Sequence, residues 1–152
     1  PYMFTASLPP GVVAATMEAL HRIRSQPELR QNLMENARRL YAGLAGLGFC
    51  LGPEPSPVVS AIMPNPETAF ALWSDLLRAG LYTNVSLPPA TPNGLALLRS
   101  SVSAAHTPQQ IDHAIALFEQ TGRALGLVPA TAGARASHNT AASPSLVGAP
   151  SE

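Results

Sequence analysis

The sequence predicts a small α+β domain in which helices cover one face of a three- or four-stranded, mainly antiparallel sheet. Three observations carry this. Apolar residues recur at three-and-four spacing over several long stretches, β-branched runs are few and short, and prolines and glycines fall at the joints between them. With 152 residues the chain fits one domain of ordinary size, and an apolar fraction of 46% supplies a core despite 16 prolines and 11 glycines.

Taken in order, Val13, Met17, Leu20 and Ile23 form one stripe of a helix over Gly11–Gln26, opened by Pro9-Pro10, because proline's missing N–H costs nothing in a first turn. Pro27 restarts a second helix with Leu29, Leu33, Ala37, Leu40, Leu44 and Leu47 on its stripe, ended by Gly46 and Gly48. Phe49–Gly52 reads as a short edge strand, and Pro57–Met63 as a stronger one, β-branched and bounded by prolines. A third helix runs from Glu67 to Ala79 with Ala69, Leu72, Trp73, Leu76 and Leu77 inward and Gly80 at its end. Leu81–Val85 is a strand. Ser86–Gly94 must be a loop, since three prolines remove the donors a central strand needs. Leu95–Ser103 resumes the sheet, and Thr107-Pro108-Gln109-Gln110 caps a last helix through Ile111, Ile115, Phe118, Gly122 and Leu125. The packed domain is therefore expected over residues 1–126, and residues 127–152, rich in Ala, Ser and Pro, as a disordered tail.

Composition excludes several functions. Nine basic residues against nine acidic ones give no long-range field for nucleic acid or an anionic membrane. No apolar stretch reaches the roughly 20 residues of a membrane span. All nine basic residues are arginine, so chemistry that needs an ε-amino group cannot be completed within these residues. The single cysteine, Cys50, allows no internal disulfide, suits a reducing cytoplasm, and in its Phe-Cys-Leu run is expected to be a small buried hydrophobe. His21, His106, His113 and His138 form no ligand cluster, so no metal is expected and the histidines read as surface or capping groups.

Arg99 stands apart. It interrupts the apolar run Leu97-Leu98-Arg99-Ser100 just after the proline-rich loop. A guanidinium among leucines must find an anion or reach water, because unpaired burial is costly. Its planar fork matches a carboxylate with two parallel hydrogen bonds. Three roles stay open on this basis: a grip on a ligand carboxylate, a structural ion pair, or an arginine whose head reaches solvent.

Two segments carry a resemblance. Pro1-Tyr2-Met3-Phe4-Thr5-Ala6-Ser7-Leu8-Pro9-Pro10 resembles the segment that follows the cofactor lysine in the α-oxoamine synthases. Leu87-Pro88-Pro89-Ala90-Thr91-Pro92 with Leu97–Thr107 resembles the substrate loop and strand of the same family, in the same order and spacing, and the likeness runs from Pro1 to about Gly126. Gly80–Asn84 and the loop look most like the bacterial branch that joins serine to a long-chain acyl group in the first step of sphingolipid synthesis.

The resemblance implies a small C-terminal domain of a fold type I, pyridoxal-phosphate-dependent homodimer, which condenses an amino acid with an acyl-CoA thioester and releases carbon dioxide. It implies that Arg99 engages the amino acid carboxylate, that Pro89, Ala90, Thr91 and Pro92 close over the substrate, and that Thr5, with the backbone of Ala6, reaches the cofactor phosphate of the other subunit. Thr5 could instead cap the first helix, and the loop could be a plain surface turn. The family's Schiff-base lysine, stacking histidine and pyridine-side aspartate have no counterpart here. The chain is accordingly expected to be a C-terminal piece, inactive alone. The alternatives are a sibling enzyme using glycine or alanine with a shorter acyl-CoA, and a catalytically dead binding or dimerisation module.

Overall fold

The computed structural model describes residues 7–129, so Thr5, Ala6 and the expected tail from residue 130 lie outside the described residues. Four helices and four strands follow the expected order: α1 (Pro10–Ser25), α2 (Pro27–Gly46), β1 (Cys50–Leu51), β2 (Val58–Met63), α3 (Pro66–Arg78), β3 (Asn84–Ser86), β4 (Ala96–Ser101) and α4 (Pro108–Ala124). Each helix starts on a proline, where the fixed φ and absent donor suit the first turn. Thr107 and Gln110 complete a capping box on α4, and Asn65 accepts from the Thr68 N–H on α3.

The strands form one antiparallel sheet in the order β1-β2-β4-β3, with β2 and β4 at its centre. Period-two alternation gives the sheet two unlike faces. Val59, Ala61 and Met63 of β2, and Ala96, Leu98 and Ser100 of β4, point towards the helices and are buried. Against them lie Leu40 and Leu44 of α2 and Leu72 and Leu76 of α3, with α4 packed on both helices through Ile111 and Phe118. Phe49 meets Phe118 edge-to-face at 5.7 Å, joining the strand layer to α4. The expected α+β architecture, with helices on one face, is the one observed.

Several details differ from the sequence reading. Pairing of the third strand begins at Asn84, not Leu81, for two reasons. The Leu81 N–H still bonds the Leu76 carbonyl as part of the helix stop, and the Thr83 carbonyl accepts from Trp73 Nε1. Leu77 is 42% exposed, one position off the buried ridge of Ala69, Leu72 and Leu76. Cys50 is exposed, because Phe49 takes the inward position and the next residue of a strand must face the other way. Helix α1 buries no residue at all, so its apolar stripe has no partner among the described residues. Packing also continues past Gly126, where Val128 is buried against Gly122.

An exposed ion pair links α2 to α4: Arg39 Nε and Nη2 each donate to Asp112 at 2.6 Å. Those hydrogen bonds hold the Asp112 carboxyl below its ordinary range. Its contribution is complete at neutral pH and fades as pH falls through that lowered value.

Gly43 marks a close approach of α2 to α4. A Cβ there would clash with Ile115 Cδ1 and lie 2.8 Å from its Cγ1, so the whole β-branched side chain must move. Gly43→Ala is predicted to lower the thermal midpoint, since overpacking of about 1–3 kcal/mol exceeds or cancels the helix-propensity gain. In an Ile115→Ala background the same change becomes stabilising by up to about 1 kcal/mol. Thermal unfolding of the four-member cycle checks the change of sign.

Candidate functional site

The face of the sheet turned away from the helices is the candidate site. In the register, Arg99 lies directly opposite Ser60 of β2 and Asn84 of β3, and side chains so paired share a face. Cys50, Val58, Ile62, Ser86, Leu97 and Ser101 belong to the same face by alternation. Arg99 is the one charged residue at these strand positions. No acidic residue shares the face, and among the described residues Arg99 has neither a hydrogen bond nor an ion pair.

This narrows the open roles for Arg99 to a ligand grip or a solvent-reaching head. Four other arginines, Arg22, Arg39, Arg78 and Arg123, sit on helices and pair with carboxylates. Arg99 is exposed on a central strand, its base held by pairing on both sides. A structural ion pair within the described residues is absent, which leaves a solvent-facing guanidinium set rigidly on an otherwise neutral surface.

The proline-rich loop joins β3 to the start of β4. Its tip is built by a turn in which the Ala90 N–H bonds the Leu87 carbonyl, then a single 3-10 turn over Pro92–Gly94. Asn93 and Gly94 both adopt positive φ, a region these two residue types enter at least cost. Pro89 and Ala90 are exposed, whereas Thr91 is buried and its hydroxyl donates to the Leu95 carbonyl within the loop. Arg99 lies about 10 Å along β4 from Ala96, the first strand residue after the loop, at 3.3 Å per residue. The Thr91 hydroxyl turns inward, while Pro88, Pro89 and Ala90 are exposed.

Sequence reasoning missed Ser60 and Asn84 as neighbours of Arg99. Ser60 has no motif of its own, Asn84 entered only as the last residue of Gly80–Asn84, and only the register sets them beside Arg99. It also missed a cavity of about 490 Å³ at the same end of the sheet as the Arg99–Asn84 pair, walled by Gly80–Thr83, Ser100–Val102, His106, His113 and Phe118. His106 serves there as a turn cap, its Nδ1 accepting from the Ser103 N–H.

The aminotransferase class I and II family model matches residues 1–118. The chain belongs to that family. A serine palmitoyltransferase of Caulobacter vibrioides is 55% identical over 136 residues, which cover 90% of this chain and 34% of that protein. The Sphingomonas wittichii serine palmitoyltransferase structure superposes with a TM-score of 0.78 at 44% identity, over 85% of this chain and 33% of the other. A solved structure of the same enzyme type with pyridoxal phosphate matches at 45% identity and a TM-score of 0.79, over 84% and 33%. The chain therefore spans about a third of the length of the relatives it matches.

The cofactor of such a relative is not held covalently by these residues. Lysine is absent from all 152 positions, so this stretch offers no amine for the link.

The loop generates one expectation. Thr91→Val keeps the side-chain shape but removes the donor that buried Thr91 gives the Leu95 carbonyl. A loss of about 1 kcal/mol is expected in denaturant unfolding, with faster amide exchange confined to residues 87–95.

Proposed function

We propose that this chain is the substrate-side, C-terminal portion of a pyridoxal-phosphate-dependent acyltransferase, a serine C-palmitoyltransferase. The parent enzyme condenses serine with a long-chain acyl-CoA, with loss of carbon dioxide, as the first step of sphingolipid synthesis. It works as a cytoplasmic homodimer whose imine-forming lysine lies outside these 152 residues. The observation that carries this reading is the guanidinium of Arg99, unpaired among the described residues at strand positions that hold no acid, in a chain 55% identical to a serine palmitoyltransferase.

In this reading Arg99 takes the amino acid carboxylate in its planar fork. Two parallel hydrogen bonds fix both the position of the carboxylate and the plane of its carbon, so the bond from the carboxylate carbon to Cα is held in one orientation. Placement on a central strand limits how far that orientation can drift. The Pro89-Ala90-Thr91-Pro92 loop covers the bound substrate, its outward Pro89 and Ala90 shedding water from the reacting end. Thr5, with Ala6 contributing backbone, reaches the cofactor phosphate of the partner subunit.

Arg99→Ala in the intact enzyme is expected to raise the KM for serine by about 10- to 100-fold, the worth of one charged bidentate contact, with the KM for acyl-CoA little changed. Arg99→Lys recovers only part of it, because an ammonium cannot form the fork. Unchanged serine kinetics in both variants remove Arg99 from the site. A series of acyl-CoA esters from two to eighteen carbons checks the acyl assignment: kcat/KM should peak near sixteen carbons, and a peak at short chains assigns a sibling acyltransferase instead.

A further inference from the structure

Asn84 faces Arg99 across the β3–β4 ladder, and directly opposed residues on one face place their Cβ atoms about 5 Å apart. Both side chains are exposed on the open face of the sheet. The orientation of the Asn84 amide follows from a neighbour. Tyr82, two residues earlier and 72% exposed, donates its hydroxyl to Asn84 Oδ1 at 3.1 Å. With its oxygen engaged, the amide is left with its NH2 group as the free end. That group has no acceptor among the described residues.

An amide NH2 and a guanidinium are both donors, so they cannot satisfy one another. Asn84 Oδ1 keeps a second lone pair, yet Arg99 makes no hydrogen bond to it, so at strand positions without an acidic residue the NH2 group and the guanidinium both keep donors for an acceptor from outside. A carboxylate has about four lone-pair sites, and the arginine fork takes two of them. We propose that Asn84 is a second substrate-binding residue, donating its Nδ2–H to the same carboxylate that Arg99 holds, and that Tyr82 is the positioning residue that keeps the amide turned that way. This rests on the assignment of Arg99 to the amino acid carboxylate and extends it to a three-residue device, Tyr82–Asn84–Arg99.

The test uses the intact enzyme, with serine and alanine affinities measured by calorimetry and steady-state kinetics on the same samples. Asn84→Ala is expected to weaken both amino acids by about tenfold, the worth of one hydrogen bond to a charged group, with kcat within about twofold of the parent. Asn84→Asp keeps the shape but sets a carboxylate beside Arg99, so it should weaken both ligands more than Asn84→Ala does. Tyr82→Phe should raise the KM for serine by about threefold, and adding it to Asn84→Ala should change nothing further, the non-additivity expected of a residue that acts through its neighbour.

Weakened serine binding in Arg99→Ala, with Asn84→Ala and Asn84→Asp both unaffected, overturns this inference and leaves the Arg99 assignment standing. Unchanged binding in Arg99→Ala and Asn84→Ala alike overturns both. A loss confined to serine, with alanine untouched, overturns the carboxylate contact, since it places Asn84 on the substrate's hydroxyl instead. Additive effects of Tyr82→Phe and Asn84→Ala overturn the positioning role of Tyr82.

Discussion

The register between β2 and β4 is the constraint on which the rest of the structure depends. It pairs Ala61 with Leu98 on the helix side and Ser60 with Arg99 on the open side. Because side chains alternate with period two, a slip of one residue would exchange the two sets, burying a guanidinium under α2 and α3 and exposing Leu98. The cost of an unpaired buried charge, added to the lost burial of a leucine that is fully enclosed here, makes that alternative inaccessible. The same hydrophobic ledger that builds the core therefore aims Arg99 away from it. Small residues at Ala61, Ala96 and Ser100 let the helices approach the sheet closely, which in turn fixes the register more sharply.

Much of this was legible in the sequence because the punctuation is strong. Prolines begin all four helices, and Gly48, Gly80 and Gly126 adopt positive φ just past the ends of α2, α3 and α4. The buried ridges Ala37-Leu40-Leu44 and Ala69-Leu72-Leu76 follow directly from three-and-four spacing. What the spacing cannot give is the phase of a short strand. Phe49-Cys50-Leu51 is apolar throughout, so nothing local says which residue points inward. The answer comes from Phe118 of α4, far away in sequence, which receives Phe49 and sends Cys50 outward. The start of β3 is decided in the same way by a distant partner, Trp73, whose indole N–H holds the Thr83 carbonyl.

The site was legible in part for the same reason. Arg99 announces itself locally, as a charge inside a run of leucines. Asn84, Ser60 and Tyr82 do not, since each is an ordinary polar or aromatic residue until the register sets them round the arginine. Thr91 illustrates the converse. It lies in the motif-bearing loop and looks available, yet its hydroxyl satisfies a carbonyl four residues on, and buried polar groups that are already paired are poor ligand contacts.

Helix α1 bears on how the domain is used. Its stripe of Val13, Met17, Leu20 and Ile23 is amphipathic in pattern, yet all four are exposed, Met17 at 66% and Ile23 at 65%. A 16-residue helix is marginal in water on propensity alone, so a helix of this kind draws its stability from packing. The open sheet face poses the matching problem: Val58, Ile62 and Leu97 are only half-buried round Arg99. Both are apolar surfaces that nothing among the described residues covers. Covering would also strengthen the electrostatics of the site. A guanidinium in open solvent attracts a carboxylate weakly, about 1 kcal/mol at 4 Å in bulk water, whereas exclusion of water lowers the effective dielectric constant and multiplies that attraction several-fold. A lone cation on a neutral, half-apolar face is thus a weak anion site while uncovered and a strong one once enclosed. In the proposed reading closure and carboxylate binding would support each other, since each surface that excludes water raises the value of the contact beneath it.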